Sequence, residues 1–382
     1  MKLIDLVYTL FLLVLTFDPT GYYTSSLKII LFIILTIYGI FKSSNRKILR
    51  INFVIILSMV LLPVFSVMYA DIIGTLRDLD YALSHIMSML FVFLFVYLNT
   101  MDLNVLLKII WFNGLVLSII TLILLSFSIF IDFSAIYSLV TINPNFMMAV
   151  DREFLGIPIN GLYFRSGPFI MFSFVYHLYR YHGPFKLIIS IFMYLALAFS
   201  GSRTPMIMQT LILLIYFYDS KLFGKYFIRM VSLIAIIGVF YLTYKLATEK
   251  GEESNELKFD NVASYKKEIL KVRTFIFGDG VGSMFYAKGN NKMLAFTELS
   301  YFDLLRMYGV PLGVYFGLLF YIPVLKRVDI TEKDLFFSRF MLTYILFLIL
   351  AGTNPILLGS IGLTALTWAM VIRQKVISMN ML

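Results

Sequence analysis

Ser200-Gly201-Ser202-Arg203-Thr204-Pro205 is a polar hexad with one arginine, set between two runs rich in Leu, Ile, Phe and Met. An arginine at the edge of a hydrocarbon span is costly to hold there, and by default it marks a site that binds an anion. Pro205 suits the first turn of a helix. The unpaired N–H groups of a helix start would add a positive field to the guanidinium. A pyrophosphate is a natural ligand for such a place. The competing reading is an arginine that snorkels to anchor a helix end. Arg165, in Tyr163-Phe164-Arg165-Ser166-Gly167-Pro168, offers the same chemistry and the same alternative, with Gly167 allowing close approach of a ligand or a helix.

Glu298 is the candidate base. It stands in Thr297-Glu298-Leu299-Ser300-Tyr301-Phe302-Asp303-Leu304-Leu305-Arg306, at the head of an apolar run. Desolvation near the hydrocarbon boundary raises a carboxyl pKa and neighbouring arginines lower it. That tuning suits a base that takes a proton from a sugar hydroxyl. The alternative is an acid of a helix-capping box begun by Thr297 or Ser300. Asp303 and Arg306, at i,i+3 spacing, read as an ion pair, with phosphate binding as the second reading for Arg306. Arg273 is a further phosphate or sugar contact. Gly278-Asp279-Gly280-Val281-Gly282 reads as a tight turn before a dinucleotide cradle. Tyr286, Phe285 and Tyr301 could stack on sugar rings, and Ser202 could add a hydroxyl beside Arg203.

These residues must be positioned by membrane helices. The chain is 60% hydrophobic and 14% charged, where soluble domains carry about a quarter charged residues. Its apolar stretches approach bilayer length and run continuously, which argues for helices and against a β-barrel. About twelve spans are expected, over 3–17, 27–42, 51–69, 86–99, 105–131, 166–180, 187–200, 206–219, 230–247, 309–325, 335–352 and 356–372, in a single integral membrane domain over 1–382. With no cysteine, disulfides, thiolate metal sites and Cys nucleophiles are excluded. His85, His177 and His182 form no zinc-binding pair, so no metal and no cofactor are expected.

The net charge of +10 is read as cytoplasmic loop charge, with no nucleic acid as partner. Lys42, Arg46, Lys47 and Arg50, then Arg180 and Lys186, Lys221, Lys225 and Arg229, Lys326 and Arg327, and finally Arg373 and Lys375 fall on one side. Both termini are then cytoplasmic. Arg77, Arg152, Arg165, Arg203 and Asn143-Pro144-Asn145 fall on the other side. There, 248–298 forms a long loop with short helices that caps the site.

Three patterns in order, Phe164-Arg165-Ser166-Gly167, then Ser200-Gly201-Ser202-Arg203, then Gly280-x-Gly282 with Glu298-Leu299-Ser300-Tyr301 through Arg306-Met307-Tyr308-Gly309, resemble those of Wzy-type O-antigen polymerases. These belong to the O-antigen ligase/polymerase superfamily. The resemblance covers the topology of nearly the whole chain. It implies a GT-C-like glycosyltransferase of the bacterial inner membrane, with its site facing the periplasm. Donor and acceptor would be undecaprenyl-pyrophosphate-linked glycans, and a chain-length regulator would be a protein partner. In the related ligases a histidine is expected where this chain has Glu298, which favours polymerase.

The mechanism so implied is a single inverting displacement. Arg203 and Arg165 hold the diphosphate, and Glu298 deprotonates the acceptor hydroxyl. Arg273, Arg306, Tyr301 and Ser202 contact substrate. The competing classes are a flippase for lipid-linked oligosaccharide, a ligase, and an acyltransferase. A flippase would more often show internal repeats, and an acyltransferase would want a well-placed histidine.

Overall fold

The computed structural model describes residues 2–21, 23–43, 48, 50–130, 147–154, 157–200, 202–220, 238, 241, 252–325, 335–352 and 354–380. At 128–130, 147–154, 157–160, 203, 252–255 and 379–380 the description is of the backbone. Gly201, Arg46, Lys47, Asn143-Pro144-Asn145, Lys221, Lys225, Arg229, Lys326, Arg327 and nearly all of the span expected over 230–247 lie outside the described residues.

In chain order the helices are α1 (Leu3–Phe17), α2 (Ser25–Ser43), α3 (Arg50–Ile72), α4 (Leu79–Leu90), α5 (Leu94–Leu98), α6 (Leu103–Phe130), α7 (Phe169–Arg180), α8 (Lys186–Ala198), α9 (Arg203–Ser220), α10 (Glu252–Ile269), α11 (Val272–Phe277), α12 (Ser300–Leu325), α13 (Leu335–Gly352) and α14 (Ser360–Asn380). Strands β1 (Met147–Phe154) and β2 (Ile157–Phe164) form one antiparallel hairpin, and β3 (Phe285–Ala287) with β4 (Lys292–Leu294) a second. Among the described residues, six helical stretches are long and apolar enough to cross a membrane: α2, α3, α4 with α5, α6, α12 and α13. Helices α1 and α8 are shorter and apolar. The chain is thus a mostly helical, multi-pass membrane protein. The hairpins are additions to the all-helical expectation. Span-length hydropathy does not register strands of three to eight residues.

The chain divides into two compact units. The first comprises Met1–Ser25, Asn104–Glu252 and Thr331–Leu350. Within it, α1 is tied to α6 by Thr16 and Asn113, whose side chains bond each other at 2.9 and 3.1 Å. Helix α6 meets α7 at Gly114, where an added Cβ would fall 2.0 Å from Ser173 Oγ. Small residues allow such close helix approach, which membrane helices rely on for packing. Ser173 Oγ also donates to the Ile110 carbonyl at 2.6 Å, so the contact leaves no polar orphan. At another point Arg339 of α13 grips Asp219 of α9 through two bonds of 2.7 and 2.8 Å, and the Tyr179 hydroxyl donates to the same carboxylate at 2.5 Å.

The second unit comprises Ser26–Leu103, Glu253–Ile330 and Ala351–Leu382. Gly39 of α2 packs against the Tyr97 backbone of α5, with room for no Cβ (2.6 Å). Helix α14 is buried along most of its length, including Trp368. It closes a polar chain in which Asn52 donates to Gln374 at 2.7 Å and Gln374 donates to Asn99 at 3.1 Å. Lys375 caps the Asn99 and Met101 carbonyls.

Candidate functional site

Within the described residues, the segment expected to be a long loop is folded: residues 253–298, called the cap below, form most of α10, α11 and the β3–β4 hairpin in the second unit. Helix α10, the β3–β4 hairpin and the head of α12 share a small core of Tyr265, Ile269, Phe285, Ala287 and Leu299, flanked by Val262, Leu294, Phe302, Leu305 and Val310. Polar contacts fasten the hairpin to α10. Asn261 Oδ1 accepts from the Gly289 N–H at 3.1 Å, Asn261 Nδ2 donates to Asn290 at 2.9 Å, and Ser264 Oγ accepts from the Lys288 N–H at 3.0 Å. Asn291 takes a left-handed conformation at the hairpin tip (φ 51°), which asparagine tolerates better than most residues.

Asp303 is the buried carboxylate of this region, 2% exposed. Its Oδ1 accepts the Tyr265 hydroxyl at 2.5 Å and its Oδ2 accepts the Thr297 N–H at 3.3 Å. With Tyr265 donating to Asp303, the Thr297 hydroxyl donates to Tyr265 at 3.0 Å and accepts the Leu299 N–H at 3.2 Å. Burial, and then the nearby Asp303 carboxylate, push the Tyr265 phenol well above its ordinary pKa, with Arg306 pulling the other way.

Arg306 is fully buried. Its Nη1 donates to the Ser283 carbonyl (3.0 Å) and hydroxyl (2.6 Å), and its Nη2 to the Ala295 carbonyl (2.5 Å). The guanidinium lies 4.5 Å from the centroid of the Phe285 ring. Its Nε has no hydrogen-bond partner. Arg306 thus pins both ends of the β3–β4 segment to α12. The i,i+3 ion pair with Asp303 read from the sequence is replaced by these separate partners.

Helix α12 begins at Ser300, nine residues before the expected span start, and breaks at Gly309 (φ 77°, ψ 162°). Two residues later Pro311 has no N–H to give the Met307 carbonyl. The break is repaired by the glycine turn. The Asp279 N–H bonds the Arg306 carbonyl at 2.9 Å, the Gly280 N–H bonds the Met307 carbonyl at 3.0 Å, and Ser66 Oγ of α3 reaches the same carbonyl at 3.2 Å. Non-helical backbone at membrane depth is tolerated where such partners exist. Gly278, Gly280 and Gly282 all have positive φ (78°, 84°, 85°). The space beside Gly280 and Gly282 is filled by α3 and α4: a Cβ at Gly280 would meet the Ser66 carbonyl at 2.6 Å, and one at Gly282 the Asp78 carbonyl at 2.9 Å. The tight-turn reading of these glycines is the one realised.

Glu298 stands apart from this buried set. Its side chain is 46% exposed and pairs with Lys258 at 3.4 Å. Arg273 is 53% exposed and pairs with Asp279 at 3.2 Å, while Thr274 holds the same Asp279 oxygen at 2.8 Å. Tyr301 bonds the Tyr321 hydroxyl at 2.8 Å, and its ring fills the space beside Gly352.

In the first unit, strand β2 delivers Arg165 to the turn that starts α7. Arg165 is half-buried. Ser166 Oγ donates to the Thr16 carbonyl at 2.6 Å, which fixes that turn on the end of α1. A Cβ on Gly167 would meet the Phe164 carbonyl at 3.0 Å, the Tyr163 ring at 3.1 Å and Leu197 of α8 at 3.5 Å, so glycine fits this tight turn. Leu197 in turn accepts from Ser200 Oγ at 2.7 Å, and the Ser202 N–H bonds Ser200 Oγ at 3.3 Å. Leu197, at the end of α8, thus meets both the Arg165 turn and Ser200. Arg203 is the first residue of α9, with Pro205 in its first turn, as expected; its side chain lies outside what is described.

The predicted residues thus fall into two groups: Arg165, Ser202 and Arg203 in the first unit, and Arg273, Glu298, Tyr301 and Arg306 in the second. Sequence reading passed over Tyr265, Thr297 as partner of Asp303, and Ser283 as partner of Arg306. Their signal is three-dimensional, since Tyr265 lies thirty-eight residues from Asp303. A lone tyrosine on a polar helix among 25 tyrosines gives no warning. Among the described residues, no group of three or more His, Asp or Glu is placed to hold a metal.

Comparison with protein-family models, with curated proteins and with solved structures found no match for this chain.

Proposed function

We propose that this chain is a membrane-embedded glycosyltransferase of the O-antigen polymerase type. It would join undecaprenyl-pyrophosphate-linked repeat units at the periplasmic face of a bacterial inner membrane, within a GT-C-like arrangement of about twelve spans. The observation that supports this reading is the division of labour at the head of α12. Asp303 and Arg306 are buried and bonded into the cap, whereas Glu298 is half-exposed and, among the described residues, pairs with Lys258. A general base has to reach its substrate from an open surface, and Glu298 meets that need where Asp303 does not.

In this reading Glu298 takes the proton from the acceptor hydroxyl, whose oxygen attacks the anomeric carbon of the donor. The anomeric C–O bond breaks and its electron pair leaves on the lipid pyrophosphate. The leaving anion calls for cationic or helix-start donors, a role worth about 10²–10³ in rate per donor; Arg165 and the helix start at Arg203, both in the first unit, are the candidates for it. In this reading Arg273, paired with Asp279, belongs to the cap's rim, and Arg306 and Tyr301 to its support.

The test is the glycan ladder of a strain lacking this gene, complemented with wild type, Glu298→Gln or Arg203→Ala. A ladder restored by wild type and reduced to a single-repeat band by both variants at equal protein level supports polymerisation. Lipid-linked units trapped on the cytoplasmic face in the deletion strain would instead make the chain a flippase.

A further inference from the structure

We infer that α11 and the residues flanking it form a lipid-immersed foot, by which the cap rests in the bilayer leaflet on its own side. The partner is the acyl-chain and headgroup boundary of an anionic phospholipid surface. Five apolar side chains here are turned outward: Leu270, Val272, Phe275, Ile276 and Phe277, exposed by 64, 76, 44, 45 and 60%. Within α11 the inward residue is Thr274, which bonds Asp279. An arrangement with the polar side chain inside and the large apolar ones outside is the inverse of a water-facing helix. It is what a helix lying in a membrane interface shows.

Continuity with the spanning helices indicates which partner covers this face. The Phe277 ring lies 6.3 Å from that of Tyr69 on α3, whose outward residues Phe65, Met68 and Ile72 are 59, 54 and 81% exposed. The Ile276 carbonyl abuts Gly309 in the middle of α12, whose outward Leu312 and Leu318 are 46 and 50% exposed. The foot therefore extends the apolar surface of two helices that are themselves long enough to span a bilayer.

Charge points the same way. Lys266, Lys267, Lys271 and Arg273 surround the apolar residues, against the acids Glu268 and Asp279. Glu268 pairs with Lys271 and Asp279 is buried under Arg273, which leaves Lys266 and Lys267 exposed on the last turn of α10. Long cationic side chains beside an immersed apolar patch reach up to lipid phosphates and are drawn to an anionic surface.

The chain contains no cysteine, so single-cysteine variants carry a unique label. Val272→Cys, Phe275→Cys, Phe277→Cys and, as control on the exposed cap hairpin, Lys292→Cys would be labelled with a fluorophore. They would be made in full-length protein that keeps its size-exclusion profile and placed in nanodiscs of phosphatidylcholine and phosphatidylglycerol. Quenching by nitroxide on the lipid chains should exceed aqueous quenching at 272, 275 and 277, and the order should reverse at 292. Aqueous quenching at the three positions equal to that at 292 would overturn the inference. So would protection from both quenchers, since the face would then be covered by protein, such as a second copy. Lys266→Glu with Lys267→Glu should lower lipid quenching at 275 in these discs, and not in pure phosphatidylcholine. An equal effect in both lipids would overturn the headgroup contact.

Discussion

A Cβ on Gly278 would fall 2.6 Å from the Gly309 nitrogen, and one on Gly309 would fall 2.8 Å from the Gly278 nitrogen. The two glycines meet backbone to backbone, both at positive φ, and their contact docks α11 and the glycine turn into the break of α12. Alanine at either position meets strain and a steric clash together. Each left-handed or otherwise sparse conformation costs a side chain on the order of 1–3 kcal/mol. Gly278→Ala and Gly309→Ala should each lower the melting temperature of the detergent-purified protein. Because the sites touch, the double variant should lose less than the sum of the two. An unchanged melting temperature in Gly309→Ala would refute the docking.

Tyr265→Phe removes the donor to Asp303 and strands a buried carboxylate oxygen. The expected cost is about 1–3 kcal/mol, read as faster limited proteolysis between α10 and α12. Asp303→Asn with Tyr265 intact keeps an acceptor for the phenol but turns an amide NH2 onto the Thr297 N–H, so it too should speed proteolysis. If both variants resist protease as wild type does, the cap is held by something other than this bond.

Arg306→Lys and Arg273→Ala separate a buried arginine from a surface one. Lysine cannot reach Ser283 and the Ala295 carbonyl together from one planar fork, so Arg306→Lys should sharply reduce the amount of folded protein. Arg273, half in solvent, should be replaceable within about 0.5 kcal/mol. Expression and thermal unfolding of the two variants in the same detergent provide the comparison. An Arg306→Lys protein as abundant and stable as wild type would show that the fork geometry is dispensable.

Asp219→Asn tests the first unit. It removes the negative charge of a bidentate pair in which Asp219 is 7% and Arg339 25% exposed. Breaking a buried pair costs about 3–5 kcal/mol, and partial exposure reduces that here. Thermal unfolding should show a clear loss in Asp219→Asn and a smaller one in Arg339→Lys, which keeps one contact. Equal losses would mean that the carboxylate charge adds nothing beyond the hydrogen bond that each variant keeps.

The helices were legible because hydrocarbon length is written in composition: α1 and α13 match their expected bounds residue for residue, while the spans expected over 166–180, 187–200 and 356–372 include turn residues at one end. The turn at Gly278–Gly282 was legible because only glycine accepts those backbone angles. What was not legible came from contacts between distant residues. Arg306 looked like half of a local ion pair with Asp303, since i,i+3 neighbours face each other on any helix. The cap supplied both residues with better partners. The β1–β2 hairpin escaped because its alternation is short and lies beside far stronger apolar runs.

The repaired break in α12 also has a consequence for biosynthesis. The donors that satisfy the Arg306 and Met307 carbonyls come from Ser66, Asp279 and Gly280, all of which precede α12 in the chain. When the ribosome delivers Gly309 and Pro311, every group needed to shelter the interrupted helix from lipid has already been made. A circular permutant that starts at α12 would reverse that order, and its first helix would have to enter the bilayer with those carbonyls bare.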